Sequence, residues 1–178
     1  MYKVIIGVVI AAAVLIIGFM MIDPQVNGNQ PVNTQQTTTD SGSAFTIEGE
    51  VNKPGTYVLS DGITMSDLIK AAGGLTNNAD DLAFFESATL KAGNTYYVAS
   101  KYDVTDICNN QPIVKVNINA DTADKLTNVN GITSSIASSI VSYRTSNGVF
   151  QTIEQLMEVY GIGNATYRKV RNYVILHA

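Results

Sequence analysis

Cysteine and histidine are almost missing from this chain: Cys108 and His177 are the single examples among 178 residues. One of each cannot build a Cys/His metal site, and a lone cysteine cannot close an internal disulfide. A Ser/His/Asp or Cys/His catalytic set would depend on a histidine one residue from the C-terminal end, which excludes nucleophilic hydrolysis of that kind. Carboxylates are present, but no spacing gathers them into one pocket. The expectation is therefore no catalytic residue, no metal, no cofactor and no enzyme. An excess of positive charge is also missing. Eleven Lys and Arg stand against fifteen Asp and Glu, net −4, which excludes a surface coated throughout for a polyanion. The distribution is uneven, however. Residues 44–106 hold four basic and nine acidic side chains, whereas residues 112–178 hold six basic and four acidic. Only the second part can attract a polyanion.

What is present begins with a run of 19 apolar residues, 4–22, preceded by Lys3 and followed by Asp23 and Pro24. A helix of that length crosses a hydrocarbon core of about 30 Å. A cleaved signal peptide is the competing reading. The absence of a small-x-small site near residue 22 favours an uncleaved anchor, residues 1–22. Lys3 places the short N-terminal side in the cytoplasm by the positive-inside tendency, and the remainder outside the cell membrane. Residues 23–43 are rich in Asn, Gln, Thr and Ser and bury too little to fold. They read as a tether with a reach of roughly 25 Å.

Residues 44–104 read as a small α+β domain. Phe45, Ile47, Gly49 and Val51 alternate with Thr46, Glu48 and Glu50, as in a half-buried strand. Lys53, Pro54 and Gly55 make a turn into a second strand at 56–59. Met65, Leu68, Ile69 and Ala72 recur at helical spacing after a cap at Thr64 or Ser66, and Gly73 with Gly74 stops that helix. A further strand is expected at 95–99. Residues 105–114 read as a linker. It contains Cys108, which outside a cell could pair with a second chain, stay buried or stay free.

Residues 115–178 contain one pattern twice. Leu126, Val129, Gly131, Ile132, Ile140 and Tyr143 are matched, each at an offset of thirty, by Leu156, Val159, Gly161, Ile162, Val170 and Tyr173. Each copy predicts a short helix, a Gly-containing turn and a longer helix, a tandem helix-hairpin-helix in an all-α domain. Asp121 and Asp124 are expected to cap the first short helix, and Thr152 with Gln155 to form a capping box on the third. Leu126, Val129, Ile136, Ile140, Leu156, Val159 and Val170 supply the core, with Tyr143 and Tyr173 as core aromatics. A glycine turn followed by a helix N-terminus leaves N–H groups that take up a phosphate oxygen and read no base. The candidate DNA-binding residues are Gly131, Ile132, Thr133, Ser134 and Ser135 in the first copy. In the second they are Gly161, Ile162, Gly163, Asn164 and Ala165, with Arg168, Lys169 and Arg171 as ionic contacts. Arg144 and Lys125 are weaker candidates. A bundle that merely packs or binds protein is the alternative.

Two resemblances add to this. GEVNKPGTYVL, TMSDLIKAAGGLTNNADD and LKAGNTYYVAS resemble the soluble-ligand-binding β-grasp (SLBB) family, through Gly49, Val51, Pro54, Gly55, Tyr57, Ile69, Ala72, Gly73, Gly74 and Gly93. That implies a domain that binds a saccharide or another ligand, or self-associates, with a plain spacer as the alternative. Anchor, tether, β-grasp domain and tandem hairpins in this order, with the VNIN at 116–119, resemble the ComEA family of competence DNA receptors. The resemblance implies a single-pass cell-membrane protein that binds double-stranded DNA outside the cytoplasmic membrane and passes it to an uptake channel. Two departures stand out. Thr133 replaces a glycine of the family's first hairpin, while Ile136, Ser138 and Ala165 replace lysines. The second hairpin, with Gly161-Ile162-Gly163 intact and Lys169 and Arg171 at basic positions, is expected to carry most of the affinity. The competing function is a cell-surface saccharide-binding or scaffold protein with structural hairpins. An intracellular DNA-repair subunit is contradicted by the apolar N-terminus.

Overall fold

The computed structural model describes residues 42–103 and 111–178. The expected anchor, Cys108 and residues 23–41 of the expected tether lie outside them; Ser43, counted to the tether, begins the first strand instead. Among the described residues no helix is long and apolar enough to cross a membrane.

The first domain follows the expected order. Strand β1 (Ser43–Gly49) buries Phe45 and Ile47 completely. It pairs antiparallel with β2 (Gly55–Leu59) on one side and parallel with β3 (Thr95–Val98) on the other, giving the sheet order β2-β1-β3. A parallel neighbour requires a crossover, and helix α1 (Met65–Ala71) provides it. Thr64 is its cap: Asp67 N–H donates to the Thr64 hydroxyl at 3.3 Å, and Thr64 N–H donates back to the Asp67 carboxylate at 3.0 Å. Met65, Leu68 and Ile69 pack under the sheet with Phe45, Ile47 and Val98. A single 3₁₀ turn (Asp81–Ala83) and an irregular stretch return the chain to β3.

The segment between the domains is more ordered at its ends than a linker. Short strands β4 (Tyr102–Asp103) and β5 (Gln111–Pro112) pair antiparallel, and Ile113 N–H donates to Lys101 O at 2.9 Å. Lys115 is buried against Asp80, Nζ to Oδ2 2.6 Å. Residues on both sides of the undescribed stretch are thus tied to the first domain.

The second domain is helical, but not all-α. Strand β6 (Val116–Asn117) pairs parallel with β7 (Val174–Ile175), so the VNIN segment closes the domain against its own C-terminal strand. Periodicity could not reveal a two-residue ladder between segments so far apart in sequence. The first copy is α2 (Ala123–Leu126), a turn, and α3 (Ser134–Asn147). The second is a 3₁₀ helix (Ile153–Glu158), a turn, and α4 (Asn164–Val170). The third helix is two turns of 3₁₀, and the expected capping box closes its start, with Gln155 Oε1 accepting from Gln151 and Thr152 N–H. The cap of α2 is Thr122, not Asp121. Asp121 instead accepts from Asn117 N–H at 2.7 Å and pairs with Lys125. Gly148 ends α3 with φ +86°. Leu126, Ile140, Phe150, Leu156 and Val170 are fully buried, and Ile136 packs at the edge of that core. Tyr143 is half-buried, stacked on Phe150 at 4.8 Å. Tyr173 is exposed, because β7 turns its neighbour Val174 inward instead.

The described residues group as one compact unit. The two domains meet along the β3 edge, where Phe85 and Tyr97 pack against the helical core. Tyr97 N–H donates to Glu154 Oε1 at 2.8 Å and Ser100 N–H to Asn172 Oδ1 at 2.8 Å. His177 stacks on Phe85 with centroids 4.8 Å apart.

Candidate nucleic-acid interface

The two hairpins share one geometry. Gly131 has φ +109° and Gly161 φ +92°, values at which a side chain is strained. The next residue, Ile132 or Ile162, is buried, and its N–H closes the turn on Val129 O (3.0 Å) or Val159 O (3.1 Å). Each glycine also abuts the second helix of the other copy. A Cβ at Gly131 would lie 3.2 Å from Val170 Cγ1, and one at Gly161 would lie 3.3 Å from Ile136 Cγ1. The turns are therefore packed across the α3/α4 pair as well as fixed locally.

What differs is the helix that follows. In the first copy Thr133 caps α3, its hydroxyl accepting from Ile136 N–H at 3.3 Å, and Ala137 N–H returns to Thr133 O. The N–H groups of Thr133, Ser134 and Ser135 meet no acceptor among the described residues. Gly163 has no side chain to offer, so in the second copy the N–H groups of Asn164, Ala165 and Thr166 all stay without an acceptor there. Neither helix has an acid in its first turn, so an approaching anion meets only the positive end of the dipole. The side chains of Ser134, Ser135, Asn164 and Ala165 are all exposed.

The basic residues do not act as one set. Arg168 is exposed and has no ion pair or hydrogen bond among the described residues. Lys169 belongs to the second copy by sequence but lies beside the first hairpin, its Cβ 3.7 Å from where a Gly131 Cβ would sit. It is thus a basic side chain beside the turn after which Ile136 and Ser138 offer none. Arg171 is committed elsewhere: Nη1 is 3.1 Å from Glu48 Oε2, and its guanidinium lies 3.8 Å from the centre of the Tyr97 ring. The structure thus places Arg171 in the contact between domains. Arg144 is held by Ile118 O and Asp121 O, both at 2.7 Å, and Lys125 by Asp121.

Two residues on this side of the molecule were not found by periodicity. Tyr160, 86% exposed, stands next to Gly161 where the first copy has Asn130, and an aromatic in a polar turn is the signal that marks it. Glu154 is buried under α4 and accepts from the Tyr167 hydroxyl at 2.9 Å as well as from Tyr97 N–H, while its Oε2 has no partner among the described residues. Burial pushes its carboxyl up from the ordinary range and, with the adjacent Glu154, pushes the Tyr167 phenol up too. Glu154 fixes the helix that carries the second hairpin. No cluster of metal-ligating side chains occurs among the described residues.

Comparison with known proteins agrees with this division. Residues 44–97 match the SLBB domain and residues 111–175 the helix-hairpin-helix motif. ComE operon protein 1 of Bacillus subtilis is 29% identical over 162 residues, 85% of this chain and 79% of that protein. In domain order and over most of its length the chain is similar to the ComEA-type family. An uncharacterized protein of Haemophilus influenzae is 45% identical over 62 residues, which is 34% of this chain and 55% of that protein. Endonuclease/exonuclease/phosphatase family domain-containing protein 1 of Danio rerio is 38% identical over 65 residues. Those residues are 12% of its length. Neither matching family describes a catalytic domain, and the likeness to the nuclease-named protein covers about a third of this chain.

Proposed function

We propose that this protein binds DNA in competence, taking the duplex by its phosphates without reading sequence. The observation that carries the reading is the pair of glycine hairpins, each opening into a helix whose leading N–H groups meet no acceptor among the described residues. Donors of that kind accept a phosphate oxygen in any sequence. Two phosphates are held, one per hairpin, by the backbone from Gly131 to Ser135 and from Gly161 to Ala165, across a minor groove. Lys169 adds charge at the first and Arg168 at the second. The relative's name, ComE operon protein 1, and the similarity to the ComEA-type family support DNA uptake as the setting. The apolar segment 4–22 supports a membrane anchor, with the folded domains outside the cell and a channel protein as the next recipient of the DNA. The SLBB domain is a candidate for self-association, which would add avidity along a long duplex. The chain's own role is binding and delivery, with no catalytic step.

The test is fluorescence anisotropy of the detergent-solubilised full chain with unrelated duplexes over a salt series. With two phosphates neutralised, log K should fall with log salt at a slope of about −2. Affinities should agree between sequences, and the Gly161→Val/Gly163→Val double variant should lose most of the binding. A wild-type chain that binds no duplex even at low salt defeats the proposal.

A further inference from the structure

A cleft of about 510 Å³ runs between α4 and the first domain. One wall is the α4 face bearing Asn164, Arg168 and Arg171, and the other is formed by Glu48, Asn94 and Thr95. Asn164 is the first residue of α4, so the cleft opens where the second hairpin leaves its N–H groups free. We infer that the DNA strand held at the second hairpin continues across this cleft onto the 93–95 turn of the SLBB domain, making that domain part of the DNA interface. The inference rests on the DNA-binding reading above and adds a surface to it.

Three observations carry it. The distance is short: α4 spans about 10 Å at 1.5 Å per residue, while a DNA strand advances about 3.4 Å per nucleotide. Arg171, which closes α4, meets Glu48 of the opposite wall at 3.1 Å, so a backbone seated at the N-terminus of α4 reaches that wall within a few nucleotides. The turn is also held in place, with Gly93 at φ +79°, Gly93 N–H donating to Ala44 O at 2.7 Å and Thr46 N–H to Asn94 O at 3.1 Å. Asn94 and Thr95 are exposed on it, an amide and a hydroxyl that can donate to phosphate oxygens. Finally, the charge is arranged for an anion. Arg168 is unpaired among the described residues, residues 92–95 carry no acid, and the one carboxylate on that wall, Glu48, is neutralised by Arg171. The acidic surplus of the SLBB domain therefore does not extend to this wall.

Two substitutions of opposite expected sign test the inference on the full chain with a labelled random-sequence duplex at low salt. Asn94→Glu puts a carboxylate into the proposed path and should weaken binding about tenfold, the scale of one close like-charge contact. Val58→Glu makes the same charge change on β2, the opposite edge of the sheet from β3, and should stay within about twofold. Glu48→Gln removes the carboxylate and releases Arg171 toward the phosphates, so it should tighten binding severalfold. A contact serving only to join the domains would make Glu48→Gln neutral or weaker. Equal effects of the Asn94 and Val58 variants, or a Glu48→Gln chain that binds no tighter than wild type, overturn the inference. If Asn94→Glu fails to fold by circular dichroism, Thr95→Glu replaces it in the comparison. A wild-type chain that ignores DNA sinks the functional reading itself, an outcome distinct from either of these.

Discussion

Thr133 and Gly163 occupy the same place in the two copies, and the difference between them sets how many donors each hairpin can present. The Thr133 hydroxyl takes up Ile136 N–H, whereas the equivalent Thr166 N–H is left to solvent. Thr133→Gly should release that donor for a phosphate and raise duplex affinity about twofold, while a Thr-to-Gly change at a cap costs only a few tenths of a kcal/mol. Titration of the variant against wild type at one salt concentration checks this, and an unchanged or lower affinity would mean the first hairpin does not hold phosphate. Glu154 makes a second prediction, about pH. Its carboxyl is raised by burial, so the folded state holds the proton more tightly than the unfolded chain does. Its contribution to stability is then fully present below the ordinary Glu value of about 4.3 and is lost as pH rises through the higher folded value. Glu154→Gln keeps an acceptor for Tyr97 N–H and does not titrate. The melting temperature of wild type relative to Glu154→Gln should therefore be higher at pH 4.5 than at pH 7.5, and a constant difference would show that Glu154 does not bind the proton.

At the scale of the element, the hairpin is a unit whose glycine serves both conformation and packing. Gly131→Ala would force a Cβ into a positive-φ residue and to 3.2 Å from Val170 Cγ1. A loss of roughly 1–3 kcal/mol is expected, measurable by urea denaturation. DNA affinity should fall with it, because the same turn aims the N–H groups. A change under about half a kcal/mol would mean the turn relaxes freely. These turns were legible in the sequence because their determinants are local: a glycine, a buried Ile one position on and apolar residues at helical spacing. The strands of the first domain were legible for the same reason, since Phe45 and Ile47 alternate with polar neighbours. What escaped notice depends on residues far apart. The β6 to β7 ladder joins segments 58 positions apart in register, and Lys169 reaches the first hairpin only because α4 packs against it. Arg171 looked like one more cation of the second hairpin until Glu48 and Tyr97, more than 70 residues upstream, were placed beside it. The hairpins needed only the spacing of the repeat and the SLBB assignment only a resemblance in sequence, whereas which cations are free needed the packing of one domain on the other.

On the scale of the whole molecule, the contact between domains decides whether the DNA-binding half can move independently of the SLBB half. The contact is polar and dispersed: Glu154 on the Tyr97 backbone, Asn172 on the Ser100 backbone, Arg171 on Glu48, and Leu176 N–H on Leu82 O at 2.8 Å. At its margin lies the ion pair of Lys115 and Asp80, whose side chains are 6% and 8% exposed. Burial lowers the Lys115 ammonium from its usual value, while the Asp80 carboxylate works against that shift. A pair so enclosed adds little over an apolar pair of the same volume, but breaking it strands a charge, at a cost of about 3–5 kcal/mol. Lys115 begins the path into the helical domain, and Asp80 belongs to the first domain. Lys115→Ala should therefore weaken the attachment of the two domains more than either core. Calorimetry of the full chain should give one unfolding transition for both domains in wild type and two in Lys115→Ala, with the first domain melting earlier because it retains the unpaired Asp80. Lys115→Ala/Asp80→Ala removes both charges and should bring the two transitions back together. If the single variant still melts in one step at a lower temperature, the domains are held mainly by the β3 edge, and the buried pair stabilises the molecule without controlling how its halves are joined.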